Sequence, residues 1–123
     1  MIENQNKQYD LEERTFTFAK NIRVLAKKIH KSIANMEDCK QLVRSSGSVA
    51  ANYIEANEAL SKKDFLMRIK ISRKEAKESR LWLKLLDIDN EGLDLERQQL
   101  LKEATELLMI LSAIMHKSEA KNV

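Results

Sequence analysis

The chain has 123 residues, enough for one domain and too few for two ordinary ones. With no Pro, two Gly and a lone Cys39, it excludes an internal disulfide and leaves few helix breakers. Lys and Arg number 22 against 19 Asp and Glu, so the net charge of +3 speaks to solubility and non-specific partners, not to fold.

Residues 1–8 are polar and read as a flexible N-terminal tail. Helix one is predicted over about 10–31. Tyr9, Phe16, Ala19, Ile22, Leu25, Ala26, Ile29 and Ile33 recur at helical spacing. Asp10, Glu12 and Glu13 suit the positive end of the helix dipole, and Lys27, Lys28 and Lys31 suit the other.

Helix two is predicted over about 36–59, with Asn35 as its N-cap. Cys39, Leu42, Val43, Ser46, Val49, Ala50, Tyr53, Ile54 and Leu60 form its core face. Ser45-Ser46-Gly47-Ser48 has the composition of a loop, yet the apolar period runs through it unbroken. Small residues there predict close approach of a neighbouring helix. Gly47 costs about 1 kcal/mol relative to Ala inside a helix, so a packing gain is expected to offset it.

Ser61 caps helix three, predicted over about 62–87, with Asp64 in its first turn. Phe65, Ile69, Ser72, Ala76, Leu83 and Leu86 form the core stripe, widened by Met67, Ile71, Trp82 and Leu85. Asp87 to Gly92 is the one strong turn cluster, after which Asp94 caps helix four, about 94–118. Its core is Leu100, Leu101, Ala104, Leu107, Leu108, Leu111, Ile114 and Met115, with Met109, Ile110 and Ala113 beside it. Residues 120–123 read as a flexible C-terminal tail.

Four helices with short joints predict an all-α fold, an up-and-down antiparallel four-helix bundle over 9–119. Helices three and four carry apolar arcs wider than one buried stripe needs, and Leu66 and Leu81 fall on the charged side of helix three. Excess apolar surface predicts self-association, with a well-filled monomer core as the competing reading. No stretch approaches the ~18 unbroken apolar residues of a membrane span. The first residues lack the apolar core of a signal peptide. A cytoplasmic protein is expected.

Two polar patterns are candidate sites. Between Lys62 and Lys84 there are nine basic residues and three acidic ones. At 100° per residue, Lys63, Lys70, Arg73, Lys74, Lys77, Arg80 and Lys84 share one third of the helix surface over ~30 Å. Such a row suits a nucleic-acid backbone. The competing reading is a solvated face answered by carboxylates of a neighbouring helix. No aromatic interleaves the row, so binding would rest on shape and charge rather than stacking. The second pattern is Gln41, Arg44, Ser48, Asn52 and Glu55, a polar face of helix two opposite the core stripe, read as an oligomer contact or groove lining in preference to a plain solvated face. Arg68 and Glu75 lie inside the apolar arc of helix three, so each is expected to have a partner on another helix.

Catalytic and metal patterns are thin. Arg23 and His30 resemble the Arg-x4–6-His signature of helical ribonucleases found in toxins, where His would act as acid or base. The polar residue that usually follows the Arg is Val24 here. Asp87-x-Asp89-x-Glu91-Gly92 resembles a calcium loop, but its twelfth position is Gln98 in place of a bidentate Glu. His30, His116 and Cys39 fall on different helices without ligand spacing. Cys39, on the core stripe, reads as packed. No metal, cofactor or small-molecule substrate is expected.

Three segments carry a family resemblance. They are Tyr9-Asp-Leu-Glu-Glu-Arg-Thr-Phe-Thr-Phe-Ala19, Gln41-Leu-Val-Arg-Ser-Ser-Gly-Ser-Val-Ala-Ala-Asn52-Tyr-Ile-Glu-Ala56, and Arg73-Lys-Glu-Ala-Lys-Glu-Ser79 with Trp82-Leu83. Together they closely resemble the bacterial four-helix-bundle family encoded in intervening sequences of 23S ribosomal RNA genes. The resemblance covers about residues 9–118, and its most specific part is Arg-Ser-Ser-x-Ser-x-x-x-Asn-x-x-Glu. It implies a four-helix protomer in a ring-like homopentamer with a central channel. A related branch is the accessory protein of diversity-generating retroelements, which works with a reverse transcriptase and its RNA. Nucleic-acid binding, especially to RNA, is the function the resemblance implies, with no catalytic residue to carry over. Arg44, Ser48, Asn52 and Glu55 match the family motif. One departure is local: Ile29-His30-Lys31 stands where members often have Leu-Pro-Lys. The reading is therefore a non-enzymatic, RNA-binding oligomer, with a protein-scaffolding oligomer as the alternative and a ribonuclease as the remote one.

Overall fold

A computed structural model describes residues 7–121, with side chains from 11 to 120. Four helices follow in order: α1 Lys7–Lys28, α2 Ile33–Asn57, α3 Lys62–Leu85 and α4 Glu91–Lys121. Each packs on the two beside it, α1 on α2, α2 on α3, α3 on α4 and α4 back on α1. Cross-helix pairs run in opposite order along every seam. Arg14 meets Glu103 and Lys28 meets Glu96; Ser45 meets Ser79 and Asn52 meets Arg68. The fold is an up-and-down antiparallel four-helix bundle.

Helix boundaries differ from the expected ones. α1 begins at Lys7 and ends at Lys28, and α4 extends from Glu91 to Lys121. Of the tails expected at 1–8 and 120–123, residues 7–8 belong to α1 and 120–121 to α4, while 1–6 and 122–123 lie outside the described residues.

Steps of three and four explain the core. On α1, Leu11, Thr15, Phe18, Ile22 and Leu25 are buried, with Ile29 just past its end, and on α4 Leu100, Ala104, Leu107, Leu111 and Met115. The expected stripe took Phe16 and missed Phe18 because Thr15, on the true seam, is polar. Its hydroxyl is satisfied by the Glu12 carbonyl at 3.0 Å, so it can be buried. Phe16, Ile54, Ile33 (92 %) and Leu60 (98 %) are exposed instead of core. Ile33 and Leu60 sit at the joints, where no neighbouring helix covers them. Tyr9 lies outside the described side chains.

The serines of α2 and α3 account for the tightest seam. Ser45 and Ser79 hydroxyls are 2.8 Å apart, and Ser72 donates to the Val49 carbonyl at 2.8 Å. Small side chains there bring the two backbones together while every hydroxyl finds a partner. Gly47 plays a different part from the one its neighbours suggested. A Cβ at that position would meet only the Arg23 guanidinium, at 3.3 Å. No backbone blocks it. Gly47→Ala is therefore expected to stabilise the protomer by about 0.5–1 kcal/mol through helix propensity, as the flexible Arg23 yields. Chemical denaturation would show a raised midpoint; a fall would mean Arg23 cannot move.

Two expected caps are corrected. Ser32, not Asn35, caps α2, accepting from the Asn35 N–H at 3.1 Å. Asn35 is 1 % exposed, and its side chain is engaged elsewhere. Its Nδ2 donates to the carbonyls of His30 (3.0 Å) and Asp87 (2.9 Å), and its Oδ1 accepts from the Asp87 N–H at 2.9 Å. One amide thus ties the α1–α2 joint to the α3–α4 joint. Asn90, not Asp94, caps α4, accepting from the Leu93 N–H at 2.9 Å. Asp94 instead binds Arg97, whose guanidinium donates to the carbonyls of Leu83 and Leu86 at the end of α3. Ser61 caps α3 as the sequence predicts, accepting from the Asp64 N–H at 3.1 Å.

Candidate nucleic-acid interface

α3 buries Ile69, Ser72, Glu75, Ala76, Ser79 and Leu83, which turns the basic row outward and toward α4. The seven cations are not equivalent. Lys70 pairs with Glu119 at 3.4 Å, and Arg73 Nε donates to the Ser112 hydroxyl at 2.8 Å. Both are tied down by α4. Lys63, Lys74, Lys77 and Lys84 are exposed and make no ion pair among the described residues.

Arg80 is different again. It is half-buried, its Nε is fully buried, and no partner binds any nitrogen of its guanidinium among the described residues. Lys74, Lys77, Arg80 and Lys84 surround Leu81 (49 % exposed) and line a shallow depression of about 450 Å³. The one acid beside them, Glu78, is engaged by Arg44 at 3.2 Å. Ten steps of 1.5 Å from Lys74 to Lys84 make this stretch about 15 Å long. By contrast, the cleft between α1 and α4, about 470 Å³, is lined by Glu96 and Glu103, which repel phosphate. Those carboxylates bind Lys28 and Arg14, and the Glu103 hydrogen bonds hold the Arg14 guanidinium above its ordinary pKa.

The polar residues of α2 do not lie opposite the core, as their spacing suggested; they edge the α2–α3 seam. Arg44 donates to Glu75 at 3.3 and 3.5 Å, to Glu78 at 3.2 Å, and to Gln41 Oε1 at 3.4 Å. Glu75 is only 8 % exposed, so its carboxylate depends on that guanidinium. Asn52 donates to the Ser48 hydroxyl at 2.9 Å and accepts from Arg68 at 3.1 Å. Arg68 and Glu75 thus have the cross-helix partners expected of them. Glu55 is exposed and unpaired among the described residues. Arg44 and Asn52 were legible as polar positions, but their spacing within α2 could not show that α3 supplies their partners.

The remaining patterns separate. α1 ends at Lys28, so His30 falls in the joint and does not share a helical face with Arg23. Arg23 folds back, donating to the Ala19 carbonyl at 3.0 Å. Of the calcium-like loop, Glu91 and Gly92 lie in the first turn of α4. Among the described residues, no three His, Cys, Asp or Glu are grouped to hold a metal. Cys39 is half-buried; burial pushes its thiol pKa up and the Asp38 charge adds to the shift. No described helix is long and apolar enough to cross a membrane.

Comparison with known proteins fits this architecture. A crystal structure of a protein of unknown function from the S23 ribosomal protein family of Bacteroides thetaiotaomicron VPI-5482 superposes with a TM-score of 0.74 at 28% sequence identity. The match covers 89% of this chain and 98% of that one. Among curated proteins none matches. The model of the 23S rRNA-intervening sequence protein family matches residues 7–113, spanning all three resembling segments and the full length of α1, α2 and α3. The chain belongs to the 23S rRNA-intervening sequence protein family.

Proposed function

We propose that the protein is a non-enzymatic, cytoplasmic, oligomeric nucleic-acid-binding protein, and that its ligand is structured RNA. The observation that carries this reading is the stretch of Lys74, Lys77, Arg80 and Lys84, which has no carboxylate partner among the described residues while the tighter seams of the bundle satisfy theirs. Four cations within about 15 Å match the charge density of a phosphate backbone. With no stacking platform on the row, recognition rests on backbone shape and charge, so sequence preference is small. The family's link to 23S rRNA and the neighbour's ribosomal family name agree with an RNA ligand.

A homopentameric ring, which the family resemblance implies, would repeat the row around an axis and sum five weak fields into a strong one. Exposed Met67, Leu85 and Met109, outside the lining of the basic depression, offer apolar surface for contact between copies. Light scattering combined with the 260/280 nm absorbance ratio tests both parts at once. The expected result is a mass near five protomers with copurifying nucleic acid that high salt removes. A protein partner that survives nuclease treatment, with no RNA retained, would move the reading to a scaffold.

A further inference from the structure

Three arginines stand along the α3–α4 seam. Arg73 donates to Ser112, and Arg97 donates to the Leu83 and Leu86 carbonyls. Arg80 follows Arg73 by two turns on the same edge of α3, yet makes no hydrogen bond among the described residues. Its Nε is buried and unpartnered, while the two Nη groups are neither buried nor bonded. An unpaired buried donor costs stability, and such groups in a folded protein call for an explanation. Burial of Nε also has a geometric effect. It limits how the guanidinium can turn, and Arg80 lines the depression shared with Lys74, Lys77 and Lys84.

We propose that Arg80 is the phosphate-gripping residue of the basic face, holding one backbone phosphate bidentately through its Nη pair while the three lysines act as point charges around it. This rests on the RNA-binding reading above and sharpens it. A planar fork matches two phosphate oxygens, and its pre-set orientation loses little freedom on binding. Lysine at the same position keeps the charge but loses the fork. No hydrogen bond or ion pair among the described residues uses the guanidinium, so its effects on binding and on stability are expected to separate.

The test uses the full chain and a blunt, mixed-sequence RNA duplex about two helical turns long, followed by fluorescence anisotropy over a range of salt. Arg80→Lys is expected to bind about tenfold more weakly at unchanged net charge. Arg80→Met is expected to bind more weakly still, with the slope of log affinity against log salt reduced by about one. Thermal unfolding of Arg80→Met should be unchanged or raised, because the orphaned Nε is gone. If Arg80→Lys binds like the parent while reversal of Lys74, Lys77 and Lys84 abolishes binding, Arg80 is one charge among several and the proposal fails alone. If Arg80→Met binds normally, Arg80 takes no part in binding, and if it unfolds much earlier, its role is structural; either result overturns the proposal. If the parent protein does not bind the duplex, the RNA reading fails and this inference falls with it.

Discussion

Asn35→Ala is expected to cost about 3 kcal/mol of folding stability, a large effect for one neutral side chain. The amide makes three hydrogen bonds of 2.9–3.0 Å and is 1 % exposed. Truncation leaves the Asp87 N–H and the carbonyls of Asp87 and His30 without that partner. A small cavity adds to the loss. For a chain of this length the change should lower Tm by roughly 10 °C. Urea unfolding should show a lower midpoint with an unchanged slope. Asn35→Asp is the informative companion. It keeps an acceptor for the Asp87 N–H, loses both donated bonds and places a charge in a buried site, so it should be no better than Ala. A loss below about 1 kcal/mol for Asn35→Ala would show that the joints hold their geometry without the clamp.

Reversing Lys74, Lys77 and Lys84 to Glu is expected to abolish RNA retention while the bundle remains folded. Each reversal changes the charge by two units, so three take the formal net charge from +3 to −3. The three side chains are exposed and make no ion pair among the described residues, so Tm should move by only a few degrees. Binding should fall on the order of a hundredfold or more, because favourable phosphate contacts are replaced by repulsion on one face. Lys70 is left out of the set because Glu119 already holds it at 3.4 Å. Retention at the parent level by the triple variant would remove the basic row as the interface.

Much of the bundle can be read from residue order, because helix periodicity and capping are short-range. Buried positions recur every three or four residues, and a serine before an acidic turn marks a helix start whatever lies across the seam. That is why the helix count, the serine-containing middle of α2 and the Ser61 cap could be read directly, as could the need of Arg68 and Glu75 for partners.

The failures have one cause. Asn35 looked like a cap because its local pattern fits one, but Asp87, distant in sequence, claims its side chain. Phe16 was expected on the seam of α1, but packing against the neighbouring helices buries Thr15 and Phe18 there instead. The seven cations looked alike in sequence. Their division into tied Lys70 and Arg73, exposed lysines and half-buried Arg80 depends on Glu119 and Ser112 of α4. Sequence alone determined that this chain makes four amphipathic helices with a basic row on the third, since both follow from spacing within a turn or two. Only the tertiary structure decided which of those cations remain free, because pairing and burial are set by side chains that the fold brings from another helix.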